Sequence, residues 1–522
     1  METTTVVTAA AATAAVGFTY WYLTRPSSSL DKVRKLPGPR GVPIFGNALT
    51  FLTAAPQLHL HYDRWTREYG ETFVWWFGPY PVTVTSDLKV AKQIGERKFA
   101  NFMNHTPLPE NMVAFLPGEM KVMKYGMDVA RDEVWRGLRS TGNAIFRNHG
   151  LMASFIPVMQ TVTDRLVRRL EGFAESGEAV EIWRCFGDMT LDVLGATVFG
   201  KSFNSIEGSS EAVEAARTIF SINVAAMDFH PLLALGLVLP TYLIPPIAWL
   251  TKVFPTRKMR EVERAMGVLA SLSDELYEDA VAELEGGVEQ QSHNLLKMFI
   301  QARKRESGDL LTRDEVKAQA VLFLLAGYET TANTLAYAIY LISTNKESEK
   351  LLLEEIDAHP QQDLRDLSRS GKMVYLEGVI KEALRLFGPI PVTDRHAAED
   401  MDIEGDMGIN VPILKGQIVN IYTRGLSRSG KYWTDPDKFK PERFVPGSEI
   451  YHLQNHKAFM PWGLGPRQCV AADFALQEAK VALIALYRRF RFDHNPEHRF
   501  SLKFAASLAP KDGVEVFCVR RS

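Results

Sequence analysis

One stretch limits the possible folds of this chain more than any other. Residues 318–345 form a run of 28 whose only charged side chain is Glu329. A run this long and apolar either crosses a bilayer or fills the interior of a large protein. Its centre reads AGYETTAN, with one acid, three hydroxyl-bearing side chains (Tyr328, Thr330, Thr331) and Gly327. Polar groups in an apolar interior are costly unless they are paired or used. The run is therefore read as the central buried helix of a large body, with chemistry at mid-length.

The rest of the chain can supply that body. It has 522 residues, 46% hydrophobic and 23% charged, an ordinary globular mix. Helical periodicity dominates, at 151–173, 253–284, 318–345 and 473–490. β-like segments are confined to ETFVWWFG and YPVTVTS, around 71–86, and to the C-terminus. The expected fold is mainly α with a minor β-sheet region, as a single large domain over 46–522. The stretches 283–294 and 306–309 read as turns of low order. A net charge of −2 excludes the basic footprint of a nucleic-acid-binding protein.

Before that body stands an uncharged segment, residues 6–23, with Tyr20, Trp21 and Tyr22 at its end and Arg25, Lys32, Arg34, Lys35 and Arg40 beyond. As a helix it would span about 27 Å, close to the hydrocarbon core of a bilayer. The aromatic cluster suits the interface, and the basic residues place the rest of the chain in the cytosol. Residues 1–24 are thus read as an N-terminal transmembrane anchor. A plastid transit peptide is the alternative reading. Residues 25–45 come next as a Pro/Gly-rich hinge, stiffened by its prolines. A second uncharged run, 231–250, carries prolines at 231, 240, 245 and 246, which exclude a continuous spanning helix. It reads as an interior loop or, with an anchor nearby, as an exposed apolar patch meeting the bilayer.

Only three cysteines occur, Cys185, Cys469 and Cys518, with no disulfide framework or zinc spacing. Cys469 closes the loop PWGLGPRQC and precedes a helical run. The glycines allow close backbone approach to a bulky group. N–H groups at the helix start favour a thiolate, a good soft metal ligand. A buried cysteine with a packing role is the plain alternative. Three further pairings stand out: Glu329 with Thr330; Glu382 with Arg385 in KEALR; and Trp135 with Arg139 in WRGLR. A cysteine-nucleophile hydrolase would need a histidine placed by the fold, and nothing in the sequence ties one to Cys469.

Together these motifs resemble the cytochrome P-450 superfamily, eukaryotic membrane-bound type, and most loosely its drug-metabolising and thromboxane-synthase branch. The resemblance runs from Leu36 onward and includes KYWTDPDKFKPERF at 431–444. The family's loop F-x-x-G-x-R-x-C-x-G matches at Gly465, Arg467 and Cys469, and departs at Trp462 and Ala471. The resemblance implies heme b with Cys469 as its axial thiolate and metal ligand. Arg139, Arg467, Arg395 and the Trp135 indole would meet its propionates, and Glu382, Arg385 and Arg443 would form a buried structural network. Thr330 and Glu329 would relay protons, although the Thr330 hydroxyl also suits the Ala326 carbonyl. Trp462 either packs in the Phe position or donates its indole N–H to the sulfur.

The function so implied is insertion of one oxygen atom from O2 into a lipophilic small molecule. Electrons would come from a separate NADPH-cytochrome P-450 reductase, at the endoplasmic reticulum membrane. An isomerase or dehydratase acting on a peroxide is the alternative. A heme sensor would leave the Glu329–Thr330 pair without purpose.

Overall fold

The computed structural model of the protein describes residues 28–42, 45–48, 50, 53, 55–106, 123–208, 211–220, 244–286, 294–302 and 308–521. The expected anchor at 1–24 lies outside these residues, as do 107–122 and 221–243. Among the described residues, no helix is long and apolar enough to cross a membrane. The 318–345 run is thus an interior helix, as its polar centre implied.

The chain forms two compact units. One comprises residues 1–121, 222–261 and 392–425, and the other 122–221, 262–391 and 426–522. The chain passes from one to the other several times, so no linker marks a boundary in the sequence.

The first unit is built on a four-stranded sheet. Thr72–Phe77 and Tyr80–Thr85 pair as an antiparallel hairpin, Ile418–Ile421 adds in parallel, and Thr393–His396 closes the far edge. The hairpin is the 71–86 segment read from the sequence. The expected hinge is partly helical, with Ser28–Arg34 forming two turns. Its Pro/Gly part is strapped to the sheet: Val74 N–H donates to the Pro37 carbonyl at 2.8 Å, and Asn47 N–H to the Trp76 carbonyl at 2.6 Å. The end of the 231–250 run is helical, Ile244–Val253, with Pro245 and Pro246 in its first turn. Proline is tolerated there because those N–H groups have no helical acceptor. Trp249 (62%), Val253 (45%) and Phe254 (69%) are exposed, so this end of the run is an apolar surface patch rather than an interior loop.

The second unit carries the helices that matter for the site: α1 (Asp132–Phe146), α2 (Ile156–Ser176), α3 (Ile182–Leu194), α4 (Arg313–Ser343), α5 (Val374–Phe387) and α6 (Ala472–Arg489). The helix expected over 151–173 is broken at Phe155, with Pro157 in the first turn of α2. The central helix α4 starts five residues before its uncharged run, because its first turn is polar. Thr312 and Glu315 cap it reciprocally, Glu315 N–H donating to Thr312 Oγ1 at 3.3 Å and Thr312 N–H to Glu315 Oε2 at 2.8 Å. Small residues let α3 approach it. A Cβ at Gly327 would stand 2.8 Å from Leu194, and one at Gly187 3.0 Å from the Tyr328 ring.

Two small antiparallel sheets complete this unit. One joins Ala179–Glu181, Glu515–Arg520 and Phe490–His494; the other is a hairpin of Leu502–Phe504 and Leu508–Pro510.

Candidate active site

The cysteine loop owes its shape to two glycines. Gly463 (φ 77°) and Gly465 (φ 66°) lie in the left-handed region, where a side chain is strained. Cys469 N–H then donates to the Trp462 carbonyl at 2.7 Å, closing the loop three residues before α6 begins. Ala471, in the position where the motif has glycine, adopts φ −101° and ψ 20°. That conformation is open to any residue, so this departure carries no backbone penalty. Trp462 is half-buried and meets Cys469 through its backbone; among the described residues its indole makes no hydrogen bond to the sulfur.

Cys469 is accessible, yet burial is the main cause raising its thiol pKa. The two observations agree if the side chain faces an interior space walled by protein. The Ala471 N–H and the Arg139 guanidinium pull the pKa down, and Asp473 pushes it up. Sequence reasoning expected the helix start to win and favour a thiolate. Burial is the larger effect on the free thiol, and a bound metal cation favours the thiolate. Among the described residues no histidine acts on this thiol, so the base that a cysteine hydrolase needs is not found among them.

Two arginines clasp the loop to the segment entering α1. Arg139 Nη1 donates to the Gln468 carbonyl at 2.6 Å. Arg467 donates to the carbonyls of Met127 (3.1 Å) and Ala130 (2.8 Å), with its guanidinium 4.1 Å from the centre of the buried Trp135 ring. Arg139 is buried, and its Nε has no partner. A buried donor left over beside an accessible cysteine fits a ligand that carries an anionic group together with a thiolate-seeking metal. Heme has both, so these residues fit it.

Arg395 belongs to the first unit. It is 1% exposed and donates to the Asp394 carbonyl at 2.7 Å and Thr393 Oγ1 at 3.1 Å. Its Nε is also buried without a partner, and burial pushes its pKa down to about 10.

The structure joins Glu382, Arg385 and Arg443 in one buried network, each side chain fully enclosed. Arg385 forks onto Glu382 through Nε (2.7 Å) and Nη2 (2.8 Å). Arg443 Nε adds a third bond at 3.1 Å, and the Lys440 N–H a fourth at 3.0 Å. The remaining guanidinium donors go to the carbonyls of Ser427, Asp435 and Pro436 and to Gln454 Oε1. Short-range spacing identifies the Glu382–Arg385 pair. Gln454 and these carbonyls have no such signal.

On α4, one stripe is open amid buried neighbours: Ala326 is exposed, and Leu322 and Thr330, one turn to either side, are partly so. The Thr330 hydroxyl donates to the Ala326 carbonyl at 2.7 Å, and the helix continues unbroken through it. Glu329 points elsewhere. It is 4% exposed, and its Oε2 has no hydrogen-bond partner. Burial raises its pKa to about 7, against smaller opposing effects of Lys503 and the Ser507 hydroxyl.

Comparison with known proteins agrees with this geometry. The family model described as Cytochrome P450 matches residues 36–516. The thromboxane-A synthase of Sus scrofa is 29% identical over 555 aligned positions, covering 99% of this chain and 97% of that protein. Cytochrome P450 3A5 of Homo sapiens is 29% identical over 495, covering 93% and 90%. Cytochrome P450 3A31 of Mesocricetus auratus is 27% identical over 499, covering 94% and 92%. With the family model spanning nearly its whole length, the chain belongs to the cytochrome P450 family, as an enzyme of the monooxygenase class whose cofactor is heme b on an axial cysteine thiolate.

Proposed function

We propose that Cys469 is that axial thiolate, and that the enzyme inserts one oxygen atom from O2 into a lipophilic small molecule. A separate NADPH-cytochrome P450 reductase supplies the electrons. The heme, when bound, supplies cleavage of the O–O bond, which the thiolate favours. Arg139, through its unpartnered Nε, together with Arg467 and Trp135, holds the propionates. Arg395 is assigned to them on the resemblance alone. Glu382, Arg385 and Arg443 keep the loop in shape.

The observation that supports this reading is a buried acid beside the open stripe of α4: Glu329 is 4% exposed, and Thr330, next to it in the chain, lies on that stripe. Reducing one oxygen atom to water takes two protons. Glu329 can hold one near neutral pH because burial raises its pKa to about 7, the range suited to a general acid. Thr330 stands next to it on the open stripe, and its hydroxyl can turn from the Ala326 carbonyl to pass a proton on. A peroxide isomerisation takes up no protons. The similarity to thromboxane-A synthases nonetheless makes isomerisation the second reading. Turnover assays separate the two: oxygenation requires NADPH, reductase and O2, whereas isomerisation of an organic peroxide proceeds without any of them.

Thr330→Ala is expected to load heme normally but to divert electrons into hydrogen peroxide, with product formation down ~10²-fold, as for loss of a general-acid path. Peroxide release per NADPH consumed measures this; unchanged coupling contradicts it. The protonated form of Glu329 is the donor, so coupling falls as pH rises through about 7, and Glu329→Gln removes that pH dependence.

The enzyme is placed at the endoplasmic reticulum membrane with its catalytic body, residues 46–522, in the cytosol. The exposed Trp249 and Phe254 support contact with a bilayer. Each aromatic ring that enters the bilayer contributes on the order of 1.5–3 kcal/mol. Replacing both by serine in protein lacking residues 1–24 is expected to weaken vesicle binding at least ~10-fold. Equal co-sedimentation of the two proteins contradicts that contact.

A further inference from the structure

The open stripe of α4 stops where the hairpin of Leu502–Phe504 and Leu508–Pro510 meets it. Ala326 and Asn333 are seven residues apart, about two full turns, so their side chains leave the helix in nearly the same direction. Ala326 is exposed, whereas Asn333 and, one turn on, Tyr337 are 0% exposed. The hairpin is bonded to both. Asn333 Nδ2 donates to Ser507 Oγ at 2.9 Å and to the Leu508 carbonyl at 3.1 Å. Tyr337 Oη donates to the same carbonyl at 2.6 Å, and the Leu508 N–H donates to the Pro389 carbonyl, just after α5, at 2.7 Å. Leu508 is thus held through both of its backbone groups.

Asn333 can make this link in one orientation only. Its Oδ1 accepts from Trp183 Nε1 of α3 at 2.6 Å. An indole nitrogen only donates and a backbone carbonyl only accepts, so the amide cannot turn over without losing both bonds. Asn333, Ser507 and Leu508 are at most 1% exposed, so a bond lost here is not replaced by bulk water and its partner is left unpaired. Trp183 therefore fixes the amide, and the amide fixes the hairpin.

We propose that Trp183 and Asn333 are positioning residues that hold the hairpin as the end wall of the open stripe, and that this wall limits the length of the lipophilic molecule lying along α4. Thr330 is three residues from Asn333, about 4.5 Å along the helix axis, so the wall stands within one turn of the threonine assigned to the proton path. A molecule placed along Leu322, Ala326 and Thr330 has α4 beside it and the hairpin at its end. Selection at this end is then by reach rather than by charge. The proposal rests on the heme site of the proposed function.

The test titrates the ferric heme-loaded enzyme with imidazole and with 1-alkylimidazoles of rising chain length, reading binding from the shift of the Soret band. No turnover is involved, so the result is the same for an oxygenase and an isomerase. Each methylene buried along the stripe is expected to tighten binding about fourfold until the chain meets the wall. Asn333→Ala releases the wall. The first chain length that gains nothing in the wild type should then bind ~10-fold more tightly in the variant, while imidazole itself, too short to reach the hairpin, keeps its affinity. Trp183→Phe removes one donor and should move the limit in the same direction by less, with faster hydrogen exchange at the 502–510 amides in both variants. A length limit equal to that of the wild type in Asn333→Ala overturns the proposal. If that variant does not load heme, an unmoved limit in Trp183→Phe with unchanged exchange at the hairpin overturns it as well. A wild-type enzyme whose Soret band does not respond to imidazole overturns the heme site itself, and this proposal with it.

Discussion

Glu382→Ala is expected to yield almost no heme-loaded protein. The substitution removes the acceptor of four bonds at once, from Arg385, Arg443 and the Lys440 N–H. Two guanidinium groups then lose the carboxylate they share in a place that water does not reach, since all three side chains are fully enclosed. Stranding a buried charge costs on the order of 3–5 kcal/mol, against a typical domain stability of about 5–15 kcal/mol. Glu382→Gln keeps the shape and part of the hydrogen bonding, and should fall between wild type and Glu382→Ala. Heme content per folded protein and the urea midpoint measure both effects. Wild-type values for the alanine variant would reduce this network to ordinary packing.

Cys469→Ser is expected to do the opposite: it should spare the fold and abolish the chemistry. The thiol makes little of the loop's structure. The Cys469 N–H bond to Trp462 and the two positive-φ glycines belong to the backbone, and Arg139 grips the Gln468 carbonyl. A serine oxygen keeps all of these but cannot supply the electron donation that drives O–O cleavage. Thermal unfolding should therefore stay near wild type while oxygenation becomes undetectable. Monooxygenase turnover persisting in the serine variant would mean that another ligand holds the iron.

Legibility in the sequence depends on distance along the chain. The central helix is readable because its uncharged run is contiguous, and only its polar first turn, from Arg313 to Lys317, escapes that reading. The loop glycines, Arg467 and Cys469 lie within seven residues, so their association needs no fold. Glu382 and Arg385 share a helical face by spacing alone.

Other features depend on chain segments that meet only after folding. Nothing in the sequence connects Trp183, Asn333 and Ser507. The two-unit division has no linker to announce it, because each unit takes three separate stretches of chain. The surroundings of Cys469 are legible only in part: a helix start can be read from sequence, but the burial that raises the free thiol's pKa cannot.

The most direct test of the heme-thiolate assignment is the absorption spectrum of the purified enzyme, reduced and exposed to carbon monoxide. The wild-type protein is expected to show the red-shifted Soret band of a thiolate-bound heme, and Cys469→Ser is expected to lose it. A wild-type spectrum of the histidine-ligated type, or a thiolate-type band that survives the serine substitution, would contradict the assignment of Cys469 on which the site is built.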